Sequence, residues 1–304
     1  MRTHVAALVG LLVSPALSSA MMNATGPRPV LCMAIILLLV AALAFLFIPE
    51  TLRHSRTPAS SETQSFKDHL SSALKQLKES LLMLNKPLIL LFLALFLTAP
   101  AYYSMLQFMA QYISKRYALK LKDTGYVQTV YGCAQIVVAF LVIPLTSTLL
   151  TPKPKPGSTT PTPSQEQTRD LHLTLISFGI LIPGFLFLGS APKLPYFICA
   201  LLVLALGSGH SSFARALMSV HVDVEHRSRL FTLVGMLETA GTMYAGPLLA
   251  GLFSVGMRKG GGWIGLPYLV LAGFAVVALV VLLFVRLPGA QDVSGENEER
   301  DREV

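Results

Sequence analysis

The feature that most constrains this chain is a succession of apolar runs, each about as long as a bilayer is thick and nearly free of charge. A helix needs about 20 apolar residues to cross a hydrocarbon layer of roughly 30 Å. Eight runs meet that need, at 5–22, 29–48, 87–111, 124–150, 171–190, 195–218, 230–257 and 263–284. Of the lysines and arginines, only Arg215 falls inside one of them. The pattern predicts an all-α polytopic membrane protein with about eight transmembrane helices. Only 13% of the residues are charged, against about 25% in a soluble domain. That shortage excludes a disordered chain and a disulfide-rich secreted module. The net charge of +8 does not make a nucleic-acid binder, because no soluble folded face carries it. Pro15, Pro100, Pro144, Pro183 and Pro247 lie inside runs, where neighbouring helices can satisfy the carbonyls they free.

Orientation follows from the lysines and arginines between the runs. With eight spans both termini share one side. Fifteen of the 24 fall there: Arg2, the six from Arg53 to Lys86, Lys153, Lys155, Arg169, Arg227, Arg229, Arg286, Arg300 and Arg302. Eight fall opposite: Arg28, Lys115, Arg116, Lys120, Lys122, Lys193, Arg258 and Lys259. The bias places both termini in the cytoplasm, with the 115–122 cluster pulling the other way. A second reading treats 5–22 as a cleaved signal with Ser18-Ser19-Ala20 at the cut. It leaves seven spans and an outer N-terminus, the topology of a receptor. The sequon Asn23-Ala24-Thr25 stands at the membrane edge and is expected to be unused. Cys32, Cys133 and Cys199 all lie in runs, with no spacing that suggests a disulfide or a metal site.

Three polar segments separate or follow the spans. Residues 49–86 form a loop in which Phe66, Leu70, Leu74, Leu77, Leu81 and Leu84 recur every three or four positions, with Lys67, Lys75, Lys78 and Glu79 between them. That spacing predicts an amphipathic helix at the cytoplasmic interface. Residues 151–168 hold five prolines and predict a flexible connection. Residues 289–304 carry six acids and two arginines, an acidic solvated tail.

An ionisable group inside a span costs about 2.5 kcal/mol or more, so it is a functional candidate by default. Glu238 lies eight residues into its run, about 12 Å at 1.5 Å per residue. It is a candidate for proton coupling, or a structural carboxylate bonded to a neighbouring Thr or Tyr. Arg215 is expected to snorkel to the nearby interface, with Asp223, Glu225 or Glu238 as alternative partners. His210, after Gly207-Ser208-Gly209, is either a proton relay or a packing residue among small neighbours. Tyr103, Gln107 and Gln111 are four apart and share a helix face, flanked by Tyr102 and Ser104. That face points at a cavity or at an interhelical hydrogen-bond seam. Gln128, Tyr131 and Gln135 repeat the pattern more weakly. Gly235, Gly241, Gly246, Gly251 and Gly256 suggest close helix packing. No metal-binding helix, phosphate loop or nucleophile elbow occurs, so neither an enzyme nor a cofactor is expected.

Short motifs then occur in a recognisable order. Pro49-Glu50-Thr51-Leu52 resembles the motif closing the sixth helix of fungal major facilitator superfamily transporters. Gln111-Tyr112-Ile113-Ser114-Lys115-Arg116-Tyr117 resembles the end of the seventh. Leu237-Glu238-Thr239-Ala240-Gly241 and Gly246-Pro247-Leu248-Leu249-Ala250 resemble the eleventh, and Trp263-Ile264-Gly265-Leu266-Pro267 the start of the twelfth. The resemblance implies that 1–48 answers to helices five and six. Residues 49–86 answer to the central cytoplasmic loop and 87–286 to the six-helix C-terminal half, with 287–304 as the tail. It implies a partial fold lacking four helices, hence a truncated gene model, a non-functional remnant or a fragment that needs a partner supplying them. It also implies that the helices bearing Tyr103 and His210 line a substrate cavity. The expected activity is secondary transport of a small organic molecule through the lipid bilayer, proton-coupled through Glu238, with export of a drug or secondary metabolite favoured.

Overall fold

The computed structural model describes residues 2–46, 85–150, 163–222 and 226–285. The predicted amphipathic helix of the 49–86 loop and the acidic tail lie outside them, as do Asp223 and Glu225. Among the described residues there is no strand. The helices are α1 (Arg2–Thr25), α2 (Pro27–Leu46), α3 (Lys86–Arg116), α4 (124–150), α5 (Pro163–Ser190), α6 (Leu194–Val220), α7 (Arg227–Lys259) and α8 (Leu266–Leu283).

Among the described residues seven stretches are long and apolar enough to cross a membrane, from Pro27–Ala44 to Gly261–Leu283, in keeping with the all-α polytopic fold of about eight spans. The run at 5–22 lies within the continuous helix α1, which contains Pro15, but stands outside that set. A difference concerns 151–168. Its last residues are not a flexible connection, because α5 begins at Pro163. Proline at the first helical position loses no intrahelical hydrogen bond, so it starts a helix as readily as it breaks one.

α8 packs against α5 and α3, and α3 also packs against α7. The Leu194–Leu206 part of α6 lies between α5 and α4, and α1 lies along α4. α2 touches α1, and its side chains from Ile35 to Val40 stay exposed all round. Apolar side chains left outside the protein are at no cost in hydrocarbon.

Close approach is built in at specific glycines. A Cβ at Gly125 on α4 would run into Ser19 Oγ and the Pro15 carbonyl of α1. Gly241 on α7 similarly faces Ala99 on α3, and Gly246 lies under the Tyr103 hydroxyl. Of the five α7 glycines, Gly235 and Gly251 face open space, so only part of that series marks packing. The turn between α1 and α2 passes through Gly26 at φ +87°, a backbone state that glycine alone adopts freely.

Near the end of the bundle that carries the 115–122 cluster, buried rings form an aromatic nest. Tyr112 and Tyr268 meet edge to face at 4.7 Å, with Phe108, Phe197 and Phe253 around them. At the end carrying the 115–122 cluster, Arg116 donates to the carbonyls of Gly261 (2.6 Å) and Ala191 (3.5 Å). Tyr117 donates to Ala191 at 3.0 Å. Three connections are thereby tied together. Burial pushes the Tyr117 phenol above its ordinary range, opposed by the Arg116 guanidinium, so the hydroxyl remains a donor.

Candidate functional site

Two local departures from the α-helix shape the polar groups. In α3 a wide π turn occupies Ser104–Phe108, and in α4 another occupies Val138–Val142. Each lies near a proline. Pro144 has no N–H for the Phe140 carbonyl, and its ring crowds that carbonyl; a widened turn relieves both. Pro100 frees the Phe96 carbonyl in the same way. Tyr244 on α7 donates its hydroxyl to that oxygen at 2.7 Å, with its ring 4.8 Å from that of Phe96. The orphaned acceptor is thus satisfied from the neighbouring helix. The residue pattern alone did not reveal these π turns; the prolines were the available signal.

The amide stripe splits across this geometry. Gln107 sits within the π turn and is exposed, Gln111 is exposed beyond it, and Tyr103 is half-buried against α7. Gln128 on α4 donates to the Leu106 carbonyl, inside the same π turn, at 3.1 Å. Gln135 lies within hydrogen-bonding reach of the buried Tyr131 hydroxyl. Of the α4 amides Gln128 thus bridges to α3 and Gln135 stays within its own helix, while Gln107 and Gln111 have exposed side chains.

α6 is not continuous. Residues 207–209 interrupt it between Leu194–Leu206 and His210–Val220. The His210 ring closes the break from within, with Nδ1 3.0 Å from the Gly207 carbonyl and its edge against Phe178 at 5.2 Å. Discontinuous helices expose backbone groups that regular helices conceal, which is why transporters place them at binding sites.

The ionisable candidates meet. Arg215 donates through Nη2 to Glu238 Oε1, joining α6 to α7. The snorkelling expected for Arg215 is not what the structure shows. With its head inside a span, pairing with a carboxylate on the next helix costs less than leaving either charge alone. Both side chains keep about a third of their surface open, 34% and 37%, so the pair is not sealed within the protein. Arg215 Nε is buried with no partner. Among the described residues no hydrogen bond links this pair to the amide stripe or to His210, and no cluster of three or more metal-ligating side chains occurs.

Comparison with known proteins gives a consistent result. The model of the Major Facilitator Superfamily matches residues 4–162. The MFS efflux pump atnC of Emericella nidulans is 29% identical over 210 residues, covering 66% of this chain and 37% of that protein. The MFS-type transporter aprT of Aspergillus flavus is 28% identical over 83% of this chain and 49% of its own. The MFS-type transporter avaK of Aspergillus versicolor is 25% identical over 94% of this chain and 63% of its own. The chain spans about half the length of these relatives.

Proposed function

Because the chain belongs to the Major Facilitator Superfamily, a family of multi-pass membrane transporters rather than enzymes, we propose that it forms part of a secondary active carrier of small organic molecules. The observation that carries the reading is the Arg215–Glu238 pair, a carboxylate held between two spans and not sealed within the protein. Such a group can accept a proton, and the proton cancels its attraction for Arg215. That exchange couples proton movement to a rearrangement of α6 against α7, as alternating access requires. Gln107 and Gln111 supply exposed amides for a polar substrate, Tyr103 an aromatic face, and the break at His210 a flexible wall. Gln128 ties α4 to the α3 side of that surface, and Gln135 stands beside Tyr131, one turn further along α4.

Export of a drug or secondary metabolite is the proposed direction, in keeping with the efflux pump among the relatives. The site lies on one six-helix bundle, and we place the substrate path between it and a further helical half, supplied in trans or by a longer form of the protein. The family match runs through 5–22, the segment that a receptor reading treats as a signal, which supports reading it as part of the carrier. The test is flux in membrane vesicles from cells expressing the chain. Glu238→Gln should lower proton-driven flux by about a hundredfold, the lower end of what a positioned proton-transfer group contributes. Unchanged flux removes Glu238 from the coupling role.

A further inference from the structure

One end of the bundle carries a concentration of positive charge that no described carboxylate balances. All six of its spans start or stop there, at Arg116, Leu121, Ser190, Leu194, Lys259 and Gly261. The last turns and connections at this end hold Lys115, Arg116, Lys120, Lys122, Lys193, Arg258 and Lys259 against one acid, Asp123. Asp123 accepts a hydrogen bond from Asn23 of α1 at 3.3 Å. Among the described residues none of these cations forms a salt bridge. Like charges gathered in this way repel one another, so the arrangement is relieved only by anions from outside the bundle.

Part of the cluster is built into a corner. Arg116 donates to the carbonyls of both Gly261 and Ala191, so the α5–α6 and α7–α8 connections meet on one guanidinium. Neutral carbonyls satisfy its N–H groups without cancelling its charge. Lys193 follows Ala191 by two residues and Lys259 precedes Gly261 by two, and both are exposed. The chain turns through Gly260 and Gly261 at φ +71° and +58°, and Lys259 Nζ lies 4.4 Å from the centre of the Trp263 ring. Trp263 keeps 51% of its surface open, and Tyr196, three residues after Lys193, keeps 61%. Both rings stand at the end of a span. That is the depth at which indole and phenol side chains settle in a bilayer, apolar body toward the tails and polar tip toward the headgroups. Exposed rings beside ammonium groups without carboxylate partners suit an amphiphile, whose phosphate meets the cations and whose acyl chains meet the rings. A free anion in water would use the charges alone.

We propose that this corner, formed by Arg116, Lys193, Lys259 and Trp263, binds the headgroup of an anionic phospholipid. Arg116 sets the two connections side by side and adds its charge from behind. Lys193 and Lys259 approach the phosphate from either connection, and Trp263 fixes the depth at which they meet it. The site does not depend on transport, and it stands whichever way the chain is oriented in the membrane.

Trp263 is the one tryptophan of the chain, so its fluorescence reports on the corner directly. The test uses the whole chain in nanodiscs of phosphatidylcholine with a minor share of phosphatidylserine. Bromine is placed on the acyl chains of one lipid or of the other, and quenching of Trp263 gives their relative binding at the site. The parent should favour phosphatidylserine by about fivefold, the equivalent of about 1 kcal/mol for one cation near the surface. Lys193→Gln and Lys259→Gln should each lower that preference, and the double variant should abolish it. Because one ring reads both labels, the ratio is insensitive to the altered surroundings of Trp263 in Lys259→Gln. Arg229→Gln, at the opposite end of α7, should leave the preference unchanged. An excess of inorganic phosphate at fixed ionic strength should also leave it intact; competition by phosphate would identify a soluble-anion site and overturn the lipid assignment. Equal quenching by the two lipids, no quenching by either, or a preference that survives the double substitution overturns the proposal as well. If the lysine variants do not fold, the parent decides: its preference should fade at high ionic strength, and one that persists there overturns the charge-based site.

Discussion

At the scale of single residues, the spans are held together by polar groups that answer particular defects in the backbone. Tyr244 is the clearest case, since its hydroxyl satisfies the one acceptor that Pro100 leaves without an intrahelical donor. Tyr244→Phe should therefore lower stability in detergent by about 1 kcal/mol, the cost of one unsatisfied buried acceptor. Pro100→Ala should remove most of that penalty by restoring the helical N–H. Equal penalties in both backgrounds, read from thermal unfolding, would show that the Tyr244 bond does not depend on the proline. Glu238 and Arg215 were legible in the sequence as ionisable residues where none should stand. Glu238 stood there as one of three possible partners of Arg215, and the choice among them was not legible, because distance along the chain says nothing about which helices meet. The sequence favoured an Arg215 that reaches for water; the nearer carboxylate prevails because two unpaired charges in apolar surroundings cost more than one bond.

At the scale of elements, hydrophobic run length located the spans well, since the bilayer imposes that length directly. It could not locate the π turns or the break in α6, because these change hydrogen bonding without changing composition. The polar stripe on α3 was read with regular helical spacing, yet Ser104–Phe108 is wider. The stripe is consequently divided between an open face and a packed one. Helix pairing is controlled by small residues at crossings. Gly125→Val should push α1 away from α4, because the Pro15 carbonyl cannot yield as a side chain could. The expected loss is about 1–3 kcal/mol, as for other overpacked contacts. Gly235→Ala, which faces open space, should be close to neutral in the same thermal assay and serves as the control.

At the scale of the whole molecule, the chain is a helical membrane protein of the Major Facilitator Superfamily in which six helices form a bundle and α1 and α2 join it through α4. The sign of charge in the connections gives an orientation that can be checked without any substrate. In a cysteine-free background, Lys193→Cys should react with an impermeant maleimide applied outside intact cells, while an epitope appended after Val304 should need permeabilisation. The reverse pattern would invert the proposed topology. The central claim, that the pair between α6 and α7 couples a proton gradient to movement of an organic molecule, is tested most directly in inside-out vesicles with an acidic lumen. Vesicles from cells expressing the chain should accumulate members of a panel of fluorescent aromatic dyes. Accumulation should collapse with the gradient and fall about a hundredfold in Glu238→Gln. Dye uptake that is indifferent to both the gradient and the substitution would contradict the account.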